Sequence, residues 1–274
     1  MTRIGVRKTY KLYVGGAFVR SESGRYDRAL GPGGEHVANV PRGSRKDVRD
    51  AMAAARKAAR PWAARTAYNR GQILYRAAEA LESRADGIAP ADELAASVDV
   101  LVHYAGWTDK IAAVLGGVNP VAAPFLSFSL PEPTGVVGVI APQRSALLGL
   151  VSVVAPVIAT GNTCVVVAAT DRPLPAITLA EVLATSDLPG GVVNLLTGSV
   201  AELAPWLAAH ADVNALDLAG VEPEAAVDLE RAAAQTVKRV LPAPAAEPDW
   251  TADPGTSRLS RFLELKTVWH PMGV

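Results

Sequence analysis

The sequence predicts an α/β protein built on a doubly wound parallel sheet. Three observations predict it. From Val136 onward, apolar runs of strand length alternate with stretches of helical spacing. The runs "GVVGVIAP", "CVVVAA" and "VVNLLTG" are apolar almost throughout, as strands covered on both faces must be. Gly, Pro and Asn mark the joints, so each strand feeds a helix and the chain returns parallel by a right-handed crossover.

Each element can be justified in turn. "KLYVGGAFV" is expected as a short strand with a kink at Gly15-Gly16, then a polar turn at "SESG" and a second strand. "GPGGEH" reads as a turn. Ser44 caps a helix on which Val48, Met52 and Ala55 recur at helical spacing. "RGQILYRAAEALESRADGIA" is a second amphipathic helix, with Ile73, Leu74, Ala77 and Leu81 on one side. "DELAASVDVLVHYAGWTDKIAAVLGG" is expected as one helix ending at Gly116-Gly117.

Phe125, Ser127 and Ser129 then alternate with Leu126, Phe128 and Leu130, the pattern of a half-buried strand. Pro131 and Pro133 are expected to break it, and "GVVGVIAP" follows as a buried strand. Within the parallel unit, Leu147 to Ala159, "AITLAEVLATS" and "AELAPWLAAH" are the helices, and "VNALDLAG" is a further strand. After Val240 the composition shifts to Pro, Ala and Asp, so "LPAPAAEPDWTADPGTS" is expected as an extended linker. "RFLELKTVWHP" closes the sequence as a strand that must dock on a sheet to be stable. There is no internal repeat.

The 274 residues are half hydrophobic, enough for a sizeable core. Lys plus Arg and Asp plus Glu are 27 each, and a zero balance argues against a nucleic acid or membrane surface held by bulk charge. The start, "MTRIGVRKTYKLYVGG", has no apolar core of signal-peptide length. The longest apolar run, Ala146 to Thr160, is too short to span a bilayer. One cysteine allows no internal disulfide and suits a reducing compartment. A cytoplasmic protein is therefore expected.

Few residues offer chemistry. A nucleophilic Cys164 would need access and a depressed pKa, whereas "TCVVVAA" places it as a small hydrophobe in a buried strand. His36, His103, His210 and His270 show no ligand spacing, so no metal site is expected. No G-x-S-x-G occurs. "LTGSVAEL" is a strand-to-helix turn with the single glycine Gly198, a weak phosphate cradle. In "GVEPEA", Pro223 between Glu222 and Glu224 marks a loop or a helix start. The loop "APQRSA", at the end of a central strand, sits where α/β enzymes place ligands, yet Gln143, Arg144 and Ser145 form no catalytic set.

Nine collinear stretches, among them "YVGGAFV", "EPTGVVGVIAP", "APVIATGNTCVVV", "DLPGGVVNLLTG" and "LELKTVW", resemble the aldehyde dehydrogenase superfamily. The resemblance implies a Rossmann-like NAD-binding domain over 1–116 and 134–241. It also implies an oligomerisation arm over 117–133 and 259–274, and a linker over 242–258. Cofactor contacts would fall on Ile140, Ala141, Pro142, Gly198 and Gly220.

Departures from the family pattern matter as much. Where the family has P-W-N-F/Y-P, with an Asn amide that steadies the oxyanion, this sequence has Arg144 at the Asn place. The family's ribose-holding Lys and Glu fall on Val167 and Thr170, with Ala168 between them at the proline place. Of G-S-T-x-x-G only Gly220 remains, followed by Val221, Glu222, Pro223, Glu224 and Ala225. Ala243 stands at the place of the general-base Glu. The catalytic domain with its nucleophilic Cys is absent between Val240 and the final strand, and Cys164 does not replace that thiol. The sequence resembles the truncated, cysteine-less second domain found in one subclass of the family, as a separate chain.

The resemblance implies a catalytically inactive subunit that assembles, through its arm, with a full-length NAD(P)-dependent aldehyde dehydrogenase or with itself. NAD(P) would be absent or weakly held. The alternative is a dinucleotide-binding oxidoreductase or sensor that keeps a weak NAD(P) site. Whether the chain alone is an enzyme stays open at this point. A decayed or shortened gene product is a third reading, against which the retained final strand counts.

Overall fold

The apolar run ending at Ile140 lies inside a seven-stranded sheet, third from one edge. The computed structural model describes residues 7–31, 33–84 and 89–273. In chain order the elements begin with β1 (Lys8–Thr9), β2 (Leu12–Val14), β3 (Ala17–Val19), β4 (Tyr26–Leu30) and β5 (His36–Pro41). The helices α1 (Arg45–Ala63), α2 (Ala67–Glu82), α3 (Ala91–Trp107) and α4 (Ile111–Leu115) follow. Next come β6 (Gly117–Asn119), β7 (Phe125–Pro133), β8 (Val136–Ile140), α5 (Leu148–Ala159), β9 (Thr163–Val167), α6 (Leu174–Ala184), β10 (Val193–Leu196), α7 (Val200–Ala209) and β11 (Ala215–Asp217). The chain closes with α8 (Pro223–Ala234), β12 (Arg239–Leu241), α9 (Ser257–Arg261) and β13 (Leu263–Pro271).

The large sheet runs β12-β11-β8-β9-β10-β2-β3, with the first five strands parallel and β2 and β3 antiparallel at one edge. Side-chain alternation along β9 sends Cys164 and Val166 to one core and Val165 and Val167 to the other. The first core is filled from α2, α3, α5 and α6, the second from α1, α7 and α8. Helices on both faces explain why β8, β9 and β10 are buried at every residue. Ser44 caps α1 as expected, and Asp47 reciprocates by accepting the Ser44 N–H at 2.8 Å.

The structure departs from the sequence reading in several places. "KLYVGGAFV" is a hairpin rather than one kinked strand. Gly15 and Gly16 have φ of 64° and 86°, the left-handed pair that a two-residue turn requires. The long third helix stops at Trp107 and resumes at Ile111. Thr108 interrupts it by turning its hydroxyl back on the Ala105 carbonyl, at 2.9 Å. Of the two alternatives at Pro223, loop or helix start, the structure shows the helix start of α8; the strand β12 that it delivers has no counterpart in the sequence reading. The end of the second predicted helix at 85–88, Pro32 in the "GPGGEH" turn, and the first six residues lie outside the described residues.

Pro131 and Pro133 do not break their strand; β7 runs through both. Thr134 N donates to Phe262 O on the β13 side. Alternation therefore turns the two proline nitrogens to the opposite side, beyond the reach of the short β6, where no ladder donor is needed. β13 pairs with β7 in antiparallel register from Leu263–Pro133 to Pro271–Phe125, and β6 completes a separate three-stranded sheet. The ladder begins at Leu263; the residues just before it, Leu259 and Phe262, are buried in the main core.

Candidate cofactor crevice

The strand order reverses between β8 and β11. The helices that leave these two neighbours, α5 and α8, pack on opposite faces, so a crevice opens at their carboxyl ends. Ile140, Ala141 and Pro142 line one side and are buried. Gly220 closes the other: its N–H donates to Ile140 O at 2.9 Å. A Cβ there would stand 1.8 Å from Ala141 O, so only glycine fits. Ile140, Ala141, Pro142 and Gly220 therefore meet at one place. Gly198 does not join them. It follows β10, two strands from β11's neighbour β8, and a Cβ on it would meet Gly43 N at 2.9 Å; it serves the packing of residues 42–43.

The loop after β8 is held in place by other parts of the chain. Gln143 donates its amide to Ala141 O at 2.6 Å and accepts the Thr170 N–H at 3.0 Å, which locks the loop over the end of β9. Glu247 accepts the backbone N–H groups of Arg144 at 3.1 Å and of Ser145 at 2.9 Å. Glu93, from the first turn of α3, accepts those of Leu147 and Leu148 at 3.1 and 3.2 Å. The start of α5 is thus met by the Glu93 carboxylate, which also suits the positive end of a helix, while Glu247 holds the loop just before it. Arg144 is exposed, and the contacts in which it takes part here are those of its backbone.

Below the crevice, Asp217 at the end of β11 is fully buried. Burial pushes its carboxyl up from the usual range, while Arg258, hydrogen-bonded to it, pulls it back. Arg258 in turn lies 5.4 Å from the ring centre of Trp250, whose indole N–H donates to Glu247 at 3.2 Å. The stretch expected as an extended linker is therefore a strap, tied down at Glu247, Trp250 and Arg258. Between strap and crevice lies a cavity of about 160 Å³, lined by Gln143, Arg144, residues 219–223 and residues 244–247.

The sequence reading singles out none of Glu93, Glu247, Asp217 or Arg258. One signal is present: Asp217 is a lone charge inside the apolar run "ALDLA". Cys164 is buried in β9 between Val137 and Val193, and burial pushes its thiol up, away from the thiolate that a nucleophile needs. Tyr104, also fully buried, is pushed up to about 12 by the same cause. Among the described residues, no three His, Cys, Asp or Glu side chains gather as a metal site. No helix there is long and apolar enough to cross a membrane.

A dinucleotide fits this crevice poorly. The first turn of α8, which faces it, begins with Pro223, which has no N–H, flanked by the exposed carboxylates of Glu222 and Glu224. Phosphate would meet negative charge where a helix start ordinarily offers donors. At the end of β9, Val167 and Ala168 are fully buried and offer ribose hydroxyls no side-chain partner.

A parallel sheet in the order described, with its crevice at the reversal point, defines a doubly wound α/β domain. The comparisons narrow the class. The family described as "Aldehyde dehydrogenase family" matches residues 18–243, and the chain belongs to that family. It is 33% identical over 247 residues to "Benzaldehyde dehydrogenase, mitochondrial" of Antirrhinum majus, covering 84% of this chain and 46% of the relative. It is 33% identical over 245 residues to "Hydroxyisobutyraldehyde dehydrogenase" of Mycolicibacterium austroafricanum, covering 84% and 47%. Among solved structures, HpcC from Thermus thermophilus superposes with a TM-score of 0.80 at 32% identity, over 85% of this chain and 47% of that one. The NAD+ complex of aldehyde dehydrogenase from Bacillus cereus gives 0.80 at 27%, over 85% and 50%. The chain spans about half the length of these relatives. The match supports the expected fold, a Rossmann-like cofactor-binding domain of this family.

Proposed function

We propose that this chain is a non-catalytic aldehyde dehydrogenase family subunit, which assembles through its β6-β7-β13 sheet with a full-length NAD(P)-dependent aldehyde dehydrogenase. The partner would oxidise the aldehyde. The observation that carries the reading is a contrast within one molecule. The three-stranded sheet is complete and presents apolar side chains, while the chain's single thiol is sealed inside β9. Val118, Phe128 and Val268 face each other across all three strands, with Leu126 and Leu130 on the same face and both exposed. An apolar sheet face with a free strand edge favours a protein partner.

The chain alone holds NAD(P) weakly or not at all on this reading. The alternative, a dinucleotide-binding oxidoreductase or sensor, is favoured by one observation, the retained meeting of Ala141 and Gly220 at the switch point. Co-expression with a full-length aldehyde dehydrogenase from the same source, followed by size-exclusion chromatography, tests assembly: one shared peak is expected, and two independent peaks would reject it. A rise in melting temperature on titrating NAD or NADP into the isolated chain would favour the alternative.

A further inference from the structure

We propose that the strap, residues 242–258, is a built-in occupant of the switch-point crevice, holding the ground that a bound dinucleotide would take. The observations are independent of the arm. The strap closes the crevice from above, since Pro244, Ala245, Ala246 and Glu247 line the cavity opposite Gln143 and Gly220. It supplies the anion: the Glu247 carboxylate sits on the N–H groups of Arg144 and Ser145, charge-assisted bonds roughly twice as strong as neutral ones. It is anchored beside that contact. The Trp250 indole packs against the main core while its N–H holds Glu247, and Arg258 reaches Asp217 at the carboxyl end of β11.

A competing phosphate would have to displace a carboxylate from two amides and settle beside Glu222 and Glu224. The strap thus does for this chain what a ligand does elsewhere: it satisfies the loop donors and fixes the loop. This goes beyond the proposed function, which rests on the arm; either can fail without the other.

Hydrogen exchange on the full chain, with and without NAD or NADP, tests the idea alongside the double variant Glu247→Ala/Trp250→Ala. In the wild type, the Arg144 and Ser145 amides should be protected, and neither dinucleotide should change them. In the variant, those amides should exchange at least about tenfold faster while the β7–β13 ladder keeps its protection. Equal exchange in the two proteins overturns the proposal. So does saturable NAD or NADP binding to the wild type with strap protection unchanged. If the double variant does not fold, Glu247→Gln keeps the size and removes the charge. In that case faster exchange confined to the 143–149 loop supports the proposal, and wild-type Arg144 and Ser145 amides exchanging at unfolded-chain rates overturn it.

Discussion

The guanidinium of Arg258 lies against the carboxylate of Asp217, 41 positions earlier, and ties the end of β11 to the short helix α9 that precedes the last strand. Asp217 is wholly buried and Arg258 is 18% exposed, so the pair is nearly out of water. Each partner is tolerable there because of the other. Arg258→Ala should therefore cost about 3–5 kcal/mol, because it strands a buried carboxylate. Urea denaturation read by circular dichroism measures it; a loss below about 1 kcal/mol would mean that solvent reaches the pair.

The same carboxylate sets a pH dependence. Burial raises the Asp217 pKa in the folded state, so the native chain holds its proton to higher pH than the unfolded chain does. Stability from this group is fully present below the ordinary aspartate range and is lost as pH rises through the raised value. Asp217→Asn should flatten that decline in a plot of unfolding free energy against pH. Removing Arg258, which lowers the value, should carry the decline to higher pH. An unchanged slope in both variants would contradict the assignment.

Gly220 makes a purely steric prediction. With a Cβ placed 1.8 Å from Ala141 O, Gly220→Ala must push the β8 and β11 ends apart. The expected loss is about 1–3 kcal/mol or more, the cost of overpacking a core that cannot yield. Gly117→Ala, where a Cβ meets nothing within 4 Å, serves as the control and should stay within about 0.5 kcal/mol.

Cys164 should be inert. The folded chain should resist a thiol reagent that reacts promptly once denaturant is added, because the thiol is buried and held protonated. Cys164→Ala should leave the turnover of any complex with an active partner unchanged; a large fall in turnover would restore a chemical role.

The arm's exposed face should govern assembly without governing folding. Leu126→Asp with Leu130→Asp places two charges beside Phe128 and Val268. The melting temperature should hardly move, since both positions are exposed, while the larger species on size-exclusion chromatography should disappear.

The parallel sheet was legible because its strands are apolar on both faces and its joints carry Gly, Pro and Asn. The Ala141–Gly220 meeting was legible through the family pattern. What escaped was long-range. Glu247 lies 103 positions from Arg144, and no local period connects a carboxylate in a Pro-Ala tract with two amides in another loop. The tract reads as a spacer by composition, yet three side chains in it are enough to fasten it. Pro131 and Pro133 misled for a related reason. A proline stops a strand only where its missing N–H is needed, and that depends on how far the neighbouring strand extends.

The β7–β13 ladder joins distant residues, 138 apart at Ser129 and Thr267. During synthesis at about 5–20 residues per second, β7 leaves the ribosome roughly ten seconds before its long neighbour exists. Through that interval its strand partner is the three-residue β6. A nascent chain therefore offers its stickiest ribbon first and its cover last, so whatever meets that ribbon during translation, a chaperone or a waiting subunit, has a head start over the chain's own final strand.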